Sequence, residues 1–411
     1  MTRPRAAVRI AIVAVFARWL FCFFLFPAFF AERSTVGKQY YFDSYREIAS
    51  AVTAGVGYRL GPSGPPALHR PPGYVALLAL CTPWDSKHCY IWVQLVHGIL
   101  GGLAVLLVIR AASVWGVATR GALFAGWIVA LWPFAVWESK VTVPENLLFA
   151  LVPAALLVLA RAGRGPRWAI LAGLVGAAMA LTHPTYQVIL VPSAVVIALL
   201  PLDRAKKLVT FSLLLCAFSV PISLWAVRNS RFGYAGVTTG FGYNYFRGVY
   251  AFDVLLAGGQ YFRDHDVPAT VFIDRHLQAA GLAPIDSNGA RSDPRLNDFL
   301  DRSAIAHLEA HPVYSTMKIL MKMPLAWVQQ QTPLRSAATA LLLAPLFVLA
   351  FGAIRRRKVL RVVLFMILVV DAAFAAVSVE AIPMRYMLPL IPPLAILAGA
   401  GLPGATAPER E

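Results

Sequence analysis

A cluster of polar side chains follows the first long apolar run of the chain, in the stretch YYFDSYREI at residues 40–48. Asp43 is the first acidic residue of this stretch, and Tyr45 and Glu47 follow it closely. A carboxylate at this place could act as a general base that takes the proton of an attacking hydroxyl group. The alternative is structural, because aspartate also caps helix N-termini and a helix is predicted from residue 44.

Arginine side chains at three other places could bind a phosphate group. Arg70 opens the stretch RPPGY, and Arg228 and Arg385 each lie at the predicted outer end of an apolar helix. A guanidinium group suits phosphate because it can donate two parallel hydrogen bonds to the phosphate oxygens. The alternative for each is an arginine whose side chain extends to the lipid headgroups at a helix end.

The turn between two apolar segments carries Glu138, Lys140 and Glu145. One interpretation is a salt-bridged hairpin. In the other interpretation Glu145 lies within an apolar helix, where its carboxylate faces a cavity and orients Asp43 or the acceptor. His183 lies at another predicted outer turn, where it could contact the phosphate or a metal, or be an ordinary polar residue of the turn.

The sequence favours neither a metal centre nor a nucleotide cofactor. His307 and His311 flank Glu309, but this order differs from the HExxH motif of zinc proteases. No Walker loop or GxGxxG motif follows a predicted strand. We therefore assign no metal ligand and expect no nucleotide cofactor, while the use of a divalent cation stays open.

Apolar segments must position these residues. The chain has 411 residues, of which 59% are hydrophobic and only 14% charged, against roughly 25% charged in soluble proteins. A helix needs about 20 residues to cross the hydrocarbon core. We expect one all-α polytopic membrane domain over residues 1–411, with about ten transmembrane helices. The predicted helices lie near residues 9–30, 91–109, 119–137, 142–160, 168–182, 185–201, 208–227, 336–354, 359–379 and 384–402.

Basic residues orient these helices. They gather before the first helix and in short loops, most densely in RRRK at 355–358. With ten helices every cluster falls on one face, which the positive-inside rule makes cytoplasmic, so both termini are expected there too. The same loops explain the net charge of +17. Nucleic-acid binding is not expected, because no basic stripe interleaved with aromatic residues lies outside them.

Two long segments remain on the opposite, external face, at about 31–90 and 228–335. The first contains the turn-rich stretch GPSGPP at 61–66 between two short predicted helices. We expect short juxtamembrane helices in both segments. Cys81 and Cys89 both lie in the first segment, and the sequence leaves open whether they form a disulfide.

Charged residues also lie within apolar segments. Arg18 and Asp371 fall inside predicted membrane helices, where each needs a partner or a cavity because a lone charge is costly at that depth. Lys318 and Lys322 lie one helical turn apart in the otherwise apolar segment 313–332. This pattern predicts a helix that lies at the membrane interface.

Several short motifs resemble those of the GT-C glycosyltransferases and occur in the same order. The nearest branch contains the dolichyl-phosphate-mannose protein mannosyltransferases and the bacterial aminoarabinose transferase of lipid A. In His183 this chain departs from the family, which usually has arginine there. The matching stretches are the segment around Asp43 followed by RPPGY, VTVPENLLFALV at 141–152, LTHPT at 181–185, LWAVRNSRFG at 224–233, GYNYFRG at 242–248, AIAHLEAHP at 304–312 and RYMLPLIPPLAILAGAGL at 385–402.

The resemblance implies an enzyme that moves a sugar from a polyprenyl-phosphate carrier to an acceptor on the external face, with inversion at the anomeric carbon. Asp43 matches the catalytic carboxylate of the family. Arg70 matches its basic residue in this loop and is expected to bind the donor phosphate, with Arg228 and Arg385 as second choices. The acceptor would be a hydroxyl group of a lipid, a glycan or a protein. The supporting residues expected around them are Tyr45, Glu47, Lys140, Glu145 and His183.

Two other functions are compatible with the same residues. A transporter or flippase of a lipid-linked saccharide could also carry charges within the membrane, although it needs no long structured external loops. A non-catalytic scaffold of a glycan assembly complex would tolerate change at Asp43. Rich use of alanine, arginine and proline is typical of a bacterium of high GC content, so we expect a multi-pass protein of the cytoplasmic membrane with a periplasmic active site. The sequence leaves open the sugar, the acceptor and the oligomeric state.

Overall fold

A computed structural model describes residues 3–30, 44–84, 90–257, 266–282, 284, 292–328, 332–357, 359–377 and 383–404. Within these ranges the regular elements are helices, apart from an isolated bridge between Arg59 and Pro66. The predicted all-α architecture is confirmed.

In the first half of the chain a π-helical stretch, Phe21–Leu25, connects the first two helices. The helices of this half are α1 Arg3–Leu20, α2 Phe26–Phe30, α3 Tyr45–Thr53, α4 Pro72–Cys81, α5 Tyr90–Val114, α6 Thr119–Leu131, α7 Pro133–Glu138, α8 Glu145–Leu159, α9 Pro166–Thr182 and α10 Leu190–Leu199.

In the second half a 3-10 turn, Leu388–Leu390, connects the last two helices. The helices of this half are α11 Arg204–Ser230, α12 Phe241–Leu256, α13 Asp266–Ala279, α14 Pro294–Ala310, α15 Pro312–Val328, α16 Pro333–Arg356, α17 Leu360–Val377, α18 Pro383–Met387 and α19 Ile391–Gly401.

Among the described residues, five helices are long and apolar enough to cross a membrane: Pro4–Phe29, Ile91–Val114, Arg204–Ser230, Pro333–Arg356 and Leu360–Val377. Shorter apolar helices, among them α6, α8 and α9, lie at other predicted positions. The protein is therefore a helical membrane protein, and the number of ten crossings stays a prediction.

Glycines allow several of these helices to approach closely. A Cβ added at Gly121 of α6 would lie 2.3 Å from the carbonyl oxygen of Gly399 in α19. A Cβ at Gly173 of α9 would lie 2.3 Å from the carbonyl oxygen of Leu214 in α11. Close backbone approach gives extensive van der Waals contact, which replaces the hydrophobic effect as the force between helices in lipid.

Arg18 of α1 is buried, and carbonyl oxygens of α6 accept hydrogen bonds from it. Its guanidinium group donates to the carbonyl oxygens of Ala130, at 2.9 Å, and Val129, at 3.2 Å. The Val129 carbonyl is available because Pro133, four residues later, has no N–H group. Gly101 of α5 makes room, since a Cβ there would lie 2.3 Å from Arg18 Nε. A partner is thus found for the charge that the sequence places in the first membrane helix.

Helices α12, α13 and α14 of the second long segment form a small unit with its own apolar cluster. The cluster includes Tyr245, Ile273 and Leu300, one from each helix. The glycine of GYNYFRG allows α12 to meet α14, because a Cβ at Gly242 would lie 2.2 Å from the carbonyl carbon of Leu300.

The two long segments that the sequence predicts to be external contact each other. The amide of Thr239 donates to the carbonyl oxygen of Leu68 at 3.0 Å. Ser292 Oγ accepts from the amide of Leu68 at 3.4 Å. The second segment therefore holds the backbone just before Arg70.

Candidate active site

Asp43, the predicted general base, lies outside the described residues. The description resumes at Ser44, whose Oγ lies 2.5 Å from Nε2 of His69. Nδ1 of the same imidazole lies 2.8 Å from Oγ of Ser292 in the second external segment. His69 therefore ties the start of α3, one residue after Asp43 in the sequence, to the second external segment.

Arg70 lies over the ring of Tyr45, with its Cζ 4.7 Å from the ring centroid. A guanidinium group at this distance from an aromatic face is attracted by the ring quadrupole. The Tyr58 hydroxyl donates to the carbonyl oxygens of Arg70 and Pro71, at 3.0 Å each, and so fixes the local backbone. The structure thus brings together Arg70 and Tyr45, two of the predicted site residues.

Arg385 forms an ion pair with Glu145, with 3.1 Å between Nε of the arginine and Oε2 of the glutamate. The glutamate side chain is only 1% exposed and the arginine 15%. Glu145 is the first residue of α8, where the helix dipole favours a negative charge. Burial makes an ionic partner necessary, because an uncompensated buried charge is strongly destabilising. The sequence predicted both residues but not their pairing.

Glu138 at the end of α7 is buried close to this pair. Burial raises the pKa of Glu138 to about 7, while Arg385 opposes the shift and Glu145 adds to it. Lys140 points elsewhere, with its ammonium nitrogen 2.8 Å from the centroid of the Phe26 ring. The hairpin interpretation expected a salt bridge within the turn. Instead, Glu145 pairs with Arg385, which lies far from it in the sequence.

A chain of buried hydrogen bonds joins Tyr74, His97 and Ser139. Nδ1 of His97 lies 3.0 Å from the carbonyl oxygen of Ser139 and must donate to it. Nε2 of His97 then accepts from the Tyr74 hydroxyl, also at 3.0 Å. The bond fixes the Tyr74 side chain in one orientation.

Tyr74 connects the two arginine sites. Its ring packs edge-on against Tyr45, with 5.3 Å between the centroids. The charges of Glu145 and Arg385 both act on its phenol group. Tyr74 therefore lies between the Arg70–Tyr45 contact and the Glu145–Arg385 pair.

Arg228 binds the backbone of the first long segment. Nη1 donates to the carbonyl oxygen of Ala67 at 2.9 Å, and Nη2 donates to the carbonyl oxygen of Tyr58 at 2.8 Å. The guanidinium group also lies over the ring of Trp225, 5.0 Å from its centroid. Its fork of donors therefore binds the two ends of the loop that contains GPSGPP.

His183 follows α9 and lies among aromatic rings. The centroid of its ring is 5.1 Å from that of Phe374 and 6.0 Å from that of Tyr386, the residue after Arg385. Gly73 packs against the same helix end, because a Cβ there would lie 2.5 Å from Thr182 Oγ1. The motifs RPPGY, LTHPT and RYMLP, which are far apart in the sequence, thus meet at one place.

Some predicted residues are peripheral, and other residues in the site were missed. Glu47 is exposed on α3. His69, Tyr74 and His97 were not predicted, although a histidine within an apolar helix, as His97 is, could have served as a signal. Cys81 is buried and Cys89 lies outside the described residues.

The arrangement can bind an anion. The guanidinium group of Arg70 reaches Tyr74 through the ring of Tyr45, and that of Arg385 acts on the Tyr74 phenol directly. The acidic residues beside Arg385 are Glu145 and Glu138, and burial raises the pKa of Glu138 to about 7. No three histidine, cysteine, aspartate or glutamate side chains come together as a metal site within the described ranges.

Comparison with known proteins gives matches by structure. No protein-family model and no curated protein sequence matches the chain. The archaeal oligosaccharyltransferase AglB from Archaeoglobus fulgidus, in complex with an inhibitory peptide and a dolichol-phosphate, matches with a TM-score of 0.52 and 15% identity. The match covers 95% of this chain and 50% of that chain, so this chain spans half the length of the oligosaccharyltransferase. The apo form of an oligosaccharyltransferase from the same organism gives a TM-score of 0.51.

A second kind of neighbour is ArnT from Cupriavidus metallidurans bound to undecaprenyl phosphate. It matches with a TM-score of 0.34 and 14% identity, over 87% of this chain and 72% of that chain. At these identities the oligosaccharyltransferase match establishes the fold rather than the activity. The chain has the fold of these archaeal oligosaccharyltransferase structures.

Proposed function

We propose that the chain is a membrane glycosyltransferase that moves a sugar from a polyprenyl-phosphate carrier to a hydroxyl group of a lipid, a glycan or a protein. The observation that supports this most is a continuous cluster in which Arg70 lies over Tyr45, Tyr45 packs against Tyr74, and Arg385 acts on the Tyr74 phenol, in a fold shared with an oligosaccharyltransferase. We further propose that the protein lies in a bacterial cytoplasmic membrane. Its termini would be cytoplasmic and its active site periplasmic.

In the proposed reaction the acceptor hydroxyl attacks the anomeric carbon while Asp43 takes its proton. The bond between that carbon and the phosphate oxygen breaks, and the carrier phosphate leaves with the electron pair. Attack from the side opposite the phosphate inverts the anomeric carbon. A general base in this role contributes about 10²–10⁴-fold to the rate.

The leaving phosphate gains negative charge, which fixed cationic donors stabilise. We assign this role to Arg70 and Arg385. Arg228 was a further candidate, but its donors already bind the carbonyl oxygens of Ala67 and Tyr58. We therefore propose that Arg228 holds the loop that presents Arg70.

The remaining predicted residues would support these groups. Glu145 fixes the orientation of Arg385, and Tyr45 fixes that of Arg70. We propose that His183 packs beside Arg385 through Tyr386. Lys140 and Glu47 lie at the edge of this arrangement, and we propose for them no contact with the reacting atoms.

The test is an in vitro transfer assay with the purified protein and a panel of polyprenyl-phosphate sugars. Asp43→Asn keeps the size of the side chain and removes the base, so we expect turnover to fall by at least about 10²-fold. Glu47→Gln is the matched control, because it makes the same chemical change at an exposed position four residues away.

Unchanged turnover in a folded Asp43→Asn protein would overturn the role of Asp43. A transporter or flippase would move the donor across a bilayer without consuming it. Donor loss in detergent, with a glycosylated product, therefore separates the enzyme from a transporter.

A further inference from the structure

Helix α15 carries two buried lysines on the face that packs against α12. The side chains of Lys318 and Lys322 are 1% and 4% exposed. The sequence pattern predicted a helix at the membrane interface, but both lysines point into the protein. Lys322 Nζ donates to the carbonyl oxygen of Gly248 in α12 at 2.6 Å, and Lys318 Nζ lies 4.0 Å from the centroid of the Tyr245 ring. Both ammonium groups therefore hold α15 against α12.

A histidine of α14 approaches the same tyrosine. Nδ1 of His307 lies 2.9 Å from the Tyr245 hydroxyl. The His307 ring also lies edge-on to the ring of Tyr314 in α15, with 5.8 Å between the centroids. The Tyr314 hydroxyl in turn donates to Oδ1 of Asp253 in α12 at 2.6 Å. His307 therefore lies at the contact between α12 and α15.

Two further histidines lie beside His307. The ring of His311 lies 4.7 Å from the ring of His307, measured between centroids. The charge of His276 in α13 acts on His307, and the Phe246 ring packs against both imidazoles. Three of the eight histidines of the chain thus meet at one place. We call His276, His307 and His311 the histidine cluster.

Negative charge is scarce around the histidine cluster. Asp253 is the carboxylate of the described residues whose charge acts on His307, and the same carboxylate acts on Lys318 and Lys322. One carboxylate therefore already faces two ammonium groups. Histidine is the side chain that ordinarily gains its charge in mildly acidic solution, with a pKa of about 6.5. Acid therefore adds positive charges here without adding a negative one.

We propose that the histidine cluster is an acid-sensitive latch, which holds α15 against α12 at neutral pH and releases it when the histidines take up protons. Protonation of His307 places a positive charge beside the Lys318 ammonium group. It also obliges the Tyr245 hydroxyl to accept a hydrogen bond, because both nitrogens of a charged imidazole are donors. Repulsion among the cations then separates α15 from α12.

The direction of the effect follows from burial and charge. Burial lowers the pKa of His307, and the charges of His311, Lys318 and His276 lower it further, whereas Asp253 raises it. The closed arrangement therefore binds the proton less readily than the open one. The contribution of His307 to closure is complete above about pH 6.5, and it is lost as the pH falls towards the lowered pKa of the closed form.

The other end of α15 stays attached when the latch opens. Trp327 Nε1 donates to Asp371 Oδ2 in α17 at 2.7 Å, so Asp371 has the partner that its depth requires. Between its two ends α15 also packs against α18, the short helix that carries Arg385. Movement of α15 is therefore passed to a helix of the candidate active site. The latch itself does not depend on the proposed transfer reaction.

The test measures hydrogen–deuterium exchange in the purified full-length chain in a neutral detergent. His307→Asn keeps a polar group near the position of Nδ1 but has no group that titrates. At about pH 8 we expect the amides of α12 and α15 to exchange equally in the wild type and in His307→Asn. At about pH 5.5 they should exchange about tenfold faster in the wild type, the effect of about 1.4 kcal/mol of repulsion. Comparison at the same pH cancels the pH dependence of the intrinsic exchange rate.

Lys318→Met tests the repulsion itself. It keeps roughly the length of the side chain and removes the cation over the Tyr245 ring, so exchange in α12 and α15 should rise less in acid than in the wild type. Lys206→Met is the matched control, at a lysine near the start of α11 whose side chain is 72% exposed, and it should follow the wild type. Helix α7, which carries Glu138, is the internal reference. Its exchange should be the same in the wild type and His307→Asn at each pH.

Equal exchange of the wild type and His307→Asn in α12 and α15 at about pH 5.5 would overturn the latch. An acid-induced rise that is as large in Lys318→Met as in the wild type would overturn the role of repulsion between α14 and α15. Faster exchange throughout the wild-type chain in acid, α7 included, would also contradict the proposal, because it would mean general unfolding. Should His307→Asn not fold, the same comparison is made with His307→Gln, which is uncharged too.

Discussion

The Glu145 carboxylate and the Arg385 guanidinium group lie 3.1 Å apart, although 240 positions separate them in the chain. Glu145 opens α8 and Arg385 lies on α18, so the pair joins two distant parts of the membrane domain. Because the carboxylate is almost fully buried, the pair fixes the position of the arginine as well as its charge.

Removal of one partner of this pair should be far more harmful than removal of both. Glu145→Gln leaves a mostly buried guanidinium group without its carboxylate, and we expect a loss of roughly 3 kcal/mol in the free energy of unfolding. Glu145→Gln combined with Arg385→Gln should be less destabilised than the two single effects predict when added. Thermal unfolding in detergent measures all four proteins, and additive effects would contradict a direct interaction.

The stability of the protein should depend on pH through Glu138. Burial raises the pKa of this carboxyl from 4.5 to about 7, so the folded chain keeps a proton that the unfolded chain has lost. Stability should therefore be highest below pH 4.5, fall as the pH rises through about 7, and change little beyond. The shift corresponds to roughly 3 kcal/mol.

Glu138→Gln should remove this dependence and unfold at a higher temperature than the wild type at pH 8. Thermal unfolding between pH 5 and pH 8.5 is the measurement. Glu47→Gln, at an exposed position, is the control and should follow the wild type. If Glu138→Gln also followed the wild-type curve at every pH, Glu138 would not be the group responsible.

Substitution of Gly73 should push apart the RPPGY and LTHPT motifs, which contact each other at this glycine. A Cβ there would lie 2.5 Å from Thr182 Oγ1 and 2.8 Å from the carbonyl oxygen of Leu181, closer than packed atoms allow. We expect Gly73→Ala to lower the free energy of unfolding by about 1–3 kcal/mol and to reduce transfer. Gly352→Ala is the control, since no atom lies within 4 Å of the added Cβ. Equal thermal stability of the two variants would contradict the close contact.

His69 should act on the reaction through the position of Asp43. Loss of its contacts with Ser44 and Ser292 in His69→Ala frees the start of α3 from the second external segment. We expect kcat to fall by roughly 10–100-fold, the scale of a misplaced catalytic group, while KM changes little. Ser292→Ala should show part of the same effect. A change in KM alone would assign His69 to substrate binding instead.

The helices were predictable because each has a local signature in the sequence, a run of apolar residues between charged loops. Asp43 and Arg70 could be picked out as candidates for the same reason, since each lies just before a short predicted helix. The partners of these residues could not be predicted. His69 and Ser292 are separated by 223 positions, and no local pattern connects them.

The lysines of α15 show a different limit of the sequence. An amphipathic pattern indicates that a helix has two faces but not which face meets the protein. In a soluble protein the apolar face packs inward. Here Val313 and Leu320 face outward and Lys318 is buried, because lipid can replace water as the surroundings of the helix.

The Arg18 contacts have a consequence for the way the chain is assembled. The first membrane helix carries a guanidinium group with one acceptor in its own helix, the carbonyl oxygen of Ala14. Its other acceptors, the carbonyl oxygens of Val129 and Ala130, are synthesised more than 100 residues later. We therefore expect the buried charge of α1 to be fully satisfied only after α6 has been inserted, and Pro133 is the residue that leaves the Val129 carbonyl group available.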